Sequence, residues 1–359
     1  MPTPNGSVRS ARPTINVANT DRQELSEGLL GLTILENTSG LYRCEAMFGN
    51  WGGTGSGGGR IGWIYFDRQI LDFGKAFKVS YQDDPLFEGR IMALEGLFPE
   101  TGLRSITVLA EDRFQDLRMT RRTRTFADVS DADVIGQIAS NHGLTGDVNL
   151  NSVQHKVLAQ VNQSDLAFVR ERARSVDAEV WMEGTRLHAA SHSARGGQAL
   201  ELVYRRDLRE FAVLADLAEQ RTSVTVSGWD VSGKQTITHE ATDSVIQGEV
   251  NGDVSGVSIL QQAFGARKEQ LSHTVPLTTQ EAQTEAEAFF KMGARRFVIG
   301  RGVADVQPTL HAGSFVQLGE LGDLFSGKYY VTEVRHIFDR SGLRTEFVGE
   351  RAGIGQPRG

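Results

Sequence analysis

One cysteine, Cys44, is all the thiol chemistry in the chain. It cannot close an internal disulfide or build a cysteine metal cluster, a pattern that fits folding in a reducing compartment, with the bacterial cytoplasm as the default. Proline is scarce, 8 residues against 40 glycines, and few long helical periods occur, which favours short strands joined by tight turns. An excess of positive charge is also missing. The 38 Lys and Arg are outnumbered by 45 Asp and Glu, for a net charge of -7, so nucleic-acid recognition is not expected. No apolar run approaches the ~18 residues of a membrane helix, and Met1 to Gly6 lack the apolar region of a signal peptide. No membrane span is therefore expected, and a role outside the cell would need another carrier.

What is present is enough apolar material for real cores, 39% of 359 residues, and a change of period along the chain. After a polar arm of about a dozen residues, β-prone runs occur at Ile15 to Ala18 and Leu29 to Phe48. The stretch Gly49 to Gly59 holds seven glycines and reads as a long hairpin tip. Strand-like runs follow at Arg60 to Phe66, Ala76 to Tyr81, Leu86 to Leu94 and Ser105 to Glu111, with a turn at Asp83-Asp84-Pro85. Ser130 and Asp133 form a capping pair for a helix that carries Val134, Ile135, Ile138 and Ala139 on one face and ends at Gly143. A second helix starts at Ser164-Asp165 with a stripe of Leu166, Val169, Ala173 and Val176. Strands at Glu179 to Met182 and Arg186 to Ala189 meet at Gly184. Further on, a strand at Ser223 to Trp229, a polar Gly-rich segment at about 241–272, and a helix capped by Thr278 and Glu281 and ended by Gly293 precede four strands: Phe297 to Val306, Ser314 to Leu318, Lys328 to Phe338 and Leu343 to Gly349. The predicted class is mainly β with α+β.

Self-comparison finds an internal repeat. Leu86-Phe87-Glu88-Gly89 matches Leu324-Phe325-Ser326-Gly327, and Gly102-Leu103-Arg104 matches Gly342-Leu343-Arg344. Both pairs sit in one order: strand, acidic turn, Leu-Phe-x-Gly, long strand, turn ending in Gly-Leu-Arg, final strand. Two related β-modules are therefore expected, and a trimer of such chains would present six similar faces. Gly89, Gly102, Gly327 and Gly342 are assigned to turns, and Phe87 and Phe325 to equivalent packing positions.

The chemical motifs are weaker than their structural alternatives. Gly53-x-Gly55-x-x-Gly58 spells a dinucleotide fingerprint, but strand-like residues follow where a helix must bind pyrophosphate. His239-Glu240 opens like a zincin motif, yet Asp243 stands where the second histidine belongs. His188 and His192 lie four apart in an extended run. No cofactor, metal site or catalytic residue is assigned, and no enzymatic activity is expected. A basic cluster, Arg113, Arg118, Arg121, Arg122 and Arg124, reads as a subunit or interdomain contact rather than a phosphate site. Gly53, Gly55, Gly57, Arg118, Arg121 and Arg122 are the candidate assembly contacts.

Several stretches resemble the phage late control gene D and VgrG hub superfamily. They are Thr125 to Ile135 ending in Asn141-His142-Gly143-Leu144, Gln163 to Val169, Ser227-Gly228-Trp229-Asp230, and the closing run Pro308 to Arg351 with Phe325-Ser326-Gly327-Lys328-Tyr329-Tyr330-Val331. The resemblance covers roughly residues 75–351. It implies a baseplate hub of a contractile tail or injection system, a homotrimer whose two barrels per chain form a pseudo-six-fold ring joining a hexameric tail tube to a trimeric spike. It also implies a first tube-like β-barrel module at 12–124, an α+β module at 125–200, and a second barrel at 201–353 with a polar insertion at about 241–272. With the chain stopping at Gly359, the spike is expected to be a separate chain, and baseplate wedge proteins are expected partners within a virion tail or injection particle. Two rivals stay open: a tail-associated cell-wall hydrolase, and a carbohydrate-binding β-protein, which would need clustered aromatics where the four tryptophans are scattered in sequence.

Overall fold

The computed structural model describes residues 12–53, 61–151, 153–230, 233–272 and 276–356. The chain is mostly β. Its first part runs β1 (Thr14–Val17), β2 (Thr20–Asp21), α1 (Gln23–Gly28), β3 (Leu29–Asn37), β4 (Arg43–Gly49), the short hairpin strands β5 (Trp51–Gly53) and β6 (Ile61–Trp63), β7 (Ala76–Tyr81), β8 (Asp84–Leu97), β9 (Ser105–Glu111) and α2 (Phe114–Arg118). Alternation drives these strands: Cys44, Ala46 and Phe48 of β4 point inward while their neighbours face out. The core they build includes Ile34, Phe48, Phe77, Phe87, Ile91 and Val108.

A middle part follows: β10 (Arg121–Ser130), α3 (Asp131–Asn141), β11 (Thr145–Asn149), β12 (Gln154–Ser164), α4 (Asp165–Ser175), β13 (Ala178–Glu183), β14 (Arg186–Ser191) and α5 (His192–Arg195). The expected capping pair is present: Ser130 Oγ accepts from the Asp133 amide, and the Asp133 carboxylate accepts from the Ser130 amide. Val134, Ile135, Ile138 and Ala139 face a core shared with Leu166, Phe168 and Val169 of α4. The β10–β12 ribbon, not foreseen from the sequence, lies over that core with Phe126 and Leu158 turned inward.

The last part comprises β15 (Leu200–Val203), β16 (Leu208–Ala215), β17 (Ser223–Asp230), β18 (Gln235–Thr242), α6 (Gln247–Val250), β19 (Val254–Ser255), α7 (Gly256–Phe264), β20 (Lys268–Leu271), α8 (Thr279–Arg295), β21 (Val298–Asp305), β22 (Phe315–Gly319), α9 (Gly322–Phe325), β23 (Gly327–Asp339), β24 (Gly342–Arg351) and β25 (Gly353–Ile354). The polar stretch at about 241–272 is built into the fold. Its sparse apolar residues, Ile246, Val250, Val257 and Leu271, join Ala282, Ala286 and Phe290 of α8 in one core. That helix overruns Gly293 by two residues, because Ala294 is buried and Arg295 is drawn into an ion-pair cluster.

The internal repeat has a structural counterpart. β7–β8–β9 and β22–β23–β24 are each an antiparallel meander with a long middle strand. Both middle strands carry a bulge against their successors, between Ile91 and Ala93 in one and Val331 and Glu333 in the other. The two meanders do not close into separate barrels among the described residues. The β3–β4 hairpin bridges them, β3 pairing with β23 and β4 with β9, and one thirteen-stranded sheet results with the path β16-β21-β24-β23-β3-β4-β9-β8-β7-β1-β2, β22 and β15 branching from β23. The expected pair of closed barrels is thus replaced by a shared sheet, because the strand edges that would seal each module pair with the bridging hairpin instead.

Candidate functional site: junctions and exposed faces

The sequence-assigned turn and packing residues fall into two kinds. Phe87 is buried within strand β8 opposite Val79, whereas Phe325 ends the short helix α9 and is only partly buried, so the matched letters adopt different local conformations. A Cβ at Gly89 would lie 2.3 Å from the Glu111 carbonyl oxygen, and one at Gly327 would lie 2.5 Å from Arg351 Nη1. Gly102 and Gly342 end the corresponding turns with φ of 107° and 95°, conformations that L side chains rarely adopt.

Of the candidate assembly contacts, Gly53 ends strand β5, while Gly55 and Gly57 lie outside the described residues. The arginine cluster is tied into its own chain. Arg118 grips Glu111 at 2.5 and 3.1 Å, Arg121 donates to the Asn162 carbonyl at 2.9 Å, and Arg122 and Arg124 share the buried carboxylate of Asp165. That carboxylate is held below the ordinary range by His142, Gln160 and the two guanidinium groups, against the opposing effect of its burial.

Sequence reasoning missed the polar junctions that hold the parts together. Arg195 on α5 donates to Glu179 at 2.7 Å, to the Tyr42 hydroxyl at 2.7 Å and to the Ala312 carbonyl at 2.6 Å, so one buried guanidinium reaches all three stretches of chain. Tyr330 donates to the same Glu179 carboxylate at 2.6 Å. Burial pushes the Tyr42 and Tyr330 hydroxyls well above the usual phenol range, leaving them as donors or acceptors only. His155 forms a second clasp. Its Nδ1 donates to Glu281 at 2.9 Å and its Nε2 to Asp131 at 3.0 Å, and these two carboxylates raise it to about 9, so the ring is an imidazolium at neutral pH. Arg295 makes the third, gripping both Asp177 and Glu249. Glu281 carried a signal in the sequence as a helix cap, and Asp131 and Tyr330 lay inside the family-like stretches, but none was marked as a junction.

Between the middle part and the outer face of β16, β21, β23 and β24 lies a cleft of about 1250 Å³ lined by nearly balanced charge, Arg170, Arg296 and Arg301 among acids such as Glu179 and Glu350. Burial pushes Glu350 up to about 7. His192 at its edge is kept neutral, driven down to about 2 by burial and by the neighbouring Arg295 and Arg195. Mixed charge from α4, the end of α8 and the strands suits a polypeptide surface better than a small anion or cation. His239 and Glu240 lie along strand β18, with no helix to give them zincin geometry.

The tryptophans are not all scattered in space. The β5–β6 hairpin sets Trp51 opposite Trp63, with ring centroids 4.8 Å apart, and Phe66 and Phe98 pack on Trp63 at 5.0 and 5.3 Å. This cluster remains exposed.

Comparison with solved structures shows a shared fold at low identity. The 43 kDa tail protein of prophage MuSo2 from Shewanella oneidensis superposes with a TM-score of 0.71 at 10% identity, covering 95% of this chain and 98% of that one. A tail protein from Neisseria meningitidis gives 0.68 at 12% identity over 96% and 97% of the two chains. The Escherichia coli c3393 protein, described as a type VI secretion component with structural similarity to bacteriophage T4 tail proteins gp27 and gp5, gives 0.57 at 12% identity over 92% and 76%. No curated protein matches in sequence. Among the described residues no helix is long and apolar enough to cross a membrane. One family model matches, described as the Alg8 N-terminal domain, over residues 76–339, and it is a different family from the tail-hub superfamily that the motifs resemble. Because the match spans well over half of the chain, the protein belongs to the Alg8 N-terminal domain family, with the fold of phage tail proteins.

Proposed function

We propose that this chain is a structural hub of a contractile tail or injection system. Three copies form a pseudo-six-fold ring that seats a hexameric tail tube on one side and a separate trimeric spike on the other, with wedge proteins around it. The observation that carries the reading is the pair of like meanders in one chain, each with its bulge in the same place. Two modules in each of three chains supply six similar faces on a three-fold body. The tail-protein fold and the late control gene D and VgrG motifs support it.

In this reading the functional units are a first β-module at 12–124, an α+β unit at 125–200 and a second β-module at 201–353. The Arg195, His155 and Arg295 junctions make them one rigid part able to bear load, and the mechanism is mechanical, with no catalytic step. Gly53, Gly55, Gly57 and the arginines at 118, 121 and 122 are contacts with neighbours, the arginines through donors left over from their intrachain bonds. The particle assembles in the bacterial cytoplasm. Co-expression with the tube and spike proteins of the same particle tests this: the three should purify as one complex with a three-fold ring at the tube end, and a chain that binds neither partner refutes it.

A second reading, a carbohydrate-directed protein, is favoured by the exposed aromatic cluster. Specific glycan-array binding, or clearing of cell-wall material by the purified chain, would support it over the hub.

A further inference from the structure

We propose that neighbouring copies of this chain join strand edge to strand edge, β16 of one copy pairing antiparallel with the end of β8 of the next, as β3 and β23 already pair within one chain. The template is a repeat wider than the two meanders. The β3–β4 hairpin has its own counterpart in β16–β21. β4 runs beside β9 and β21 beside β24, with Arg43 opposite Glu111 and Ile299 opposite Glu350. Each hairpin carries a bulge at the same place, between Leu29 and Gly31 in one and between Leu208 and Glu210 in the other. Together with the bulges of the meanders, these fix the correspondence. Leu32 and Ile34 match Phe211 and Val213, and Val334, His336 and Phe338 match Leu94, Gly96 and Phe98.

The two copies of this arrangement differ in what covers them. The outer edge of β3 is paired with β23, from Asn37 opposite Glu333 to Leu32 opposite Phe338. The outer edge of β16 has no strand beside it among the described residues, and β7 with the residues before it accompanies β8 only as far as Ile91. Burial follows the difference. Leu32, Ile34, Val334, His336 and Phe338 are all buried, whereas Phe211, Val213 and Leu94 are half-buried, Gly96 is exposed and Phe98 is 61% exposed. Carried over to two chains, the register sets Leu214 opposite Glu95, Val213 opposite Gly96 and Phe211 opposite Phe98. Beside Gly96 a dimple of about 310 Å³, lined by Tyr65, Leu94, Phe98 and Ile106, leaves room for the Val213 side chain. Main-chain hydrogen bonds along the joined edges would supply affinity, and these apolar side chains the register. The two edges are different surfaces and each chain carries one of each, so the contact is heterologous and builds a ring or a filament, not a two-fold dimer.

This inference deepens the hub reading and rests on it for closure at three chains. Glu95→Cys and Leu214→Cys place thiols at opposed positions, where antiparallel pairing puts the Cα atoms ~4.5–5.5 Å apart, within disulfide reach. Both native side chains are exposed and Cys44 is buried, so the variants should fold, which circular dichroism checks. Under mild oxidation the full chain carrying both changes should run as covalent trimers that a reductant dissolves. A mixture of the two single variants should give dimers only, and neither single variant should crosslink to itself. The control pair Ala93→Cys, Ala212→Cys, which this register keeps apart, should give no disulfide. Absence of a disulfide in the test pair, self-crosslinking of a single variant, or a control pair as efficient as the test pair overturns the edge pairing. Trimers in sedimentation velocity without the disulfide overturn it and leave the hub reading standing. Covalent ladders running well past three chains support the edge pairing and count against the closed hub.

Discussion

Replacing His155 by leucine should be among the costliest single changes away from the apolar cores. The ring donates one hydrogen bond to Asp131 and one to Glu281, and it joins the N-terminus of α3 to that of α8. Each charge-assisted bond contributes ~1.5–3 kcal/mol, and stranding a buried charge costs ~3–5 kcal/mol. Neither carboxylate is left wholly alone, however. Asp131 keeps Arg172 at 2.6 Å, and Glu281 keeps the amides of Leu277 and Thr278 at 2.6 and 3.2 Å. The loss should therefore fall at the low end, about 3 kcal/mol, or roughly 5 °C in Tm for a chain of this size. The pH dependence identifies the cause. His155 is raised from its ordinary value to about 9, so its contribution is fully present below about pH 6.5 and is lost as pH rises through about 9. Calorimetry at pH 6 and pH 10 should show a wide gap between wild type and variant at the lower pH and a gap near 1 kcal/mol at the higher, where a neutral ring still donates one bond. A gap of the same size at both values would refute the imidazolium clasp.

The repeat predicts an asymmetry among its glycines. Gly89→Ala should cost ~2–3 kcal/mol, because its Cβ meets a backbone carbonyl that cannot move freely, whereas Gly102→Ala, with open space around it, should cost only the ~1 kcal/mol of an unfavourable φ; denaturation midpoints would rank them. Arg295→Met should lower stability by ~3–5 kcal/mol, since it leaves Asp177 and Glu249 facing each other without their shared cation, and restoring charge balance with a second change, Glu249→Gln, should recover part of the loss. Glu350, raised to about 7 by burial, favours the fold below the ordinary carboxylate range and loses that contribution as pH rises through about 7. Glu350→Gln should accordingly flatten the decline in stability between pH 5 and pH 8 seen in a titrated melting series.

Much of the fold was legible because it rests on local signals. Ser130 with Asp133 and Thr278 with Glu281 marked two helix starts to the residue, and alternation marked β7, β9 and the closing strands. Gly293 misled at the end of α8, where a tertiary ion pair outweighs the local preference for a glycine stop. The β10–β12 ribbon escaped notice because its outer face is exposed along most of its length, leaving little alternation to read. The shared sheet was hidden for a different reason: which strand closes a module depends on the pairing of β3 with β23, residues about three hundred positions apart. The junctions at Arg195 and His155 are long-range in the same way. The aromatic cluster depends on the β5–β6 register, which sets Trp51 and Trp63 side by side as a cross-strand pair.

The central claim is that one chain carries two like modules so that three chains can present six. Electron microscopy of the purified protein, alone and with the tube protein of its own particle, tests it most directly. The account predicts particles of three-fold symmetry with six similar lobes around a central opening, seated on the end of the tube. Isolated single chains in both samples, or a ring whose lobes do not number two per chain, would contradict it.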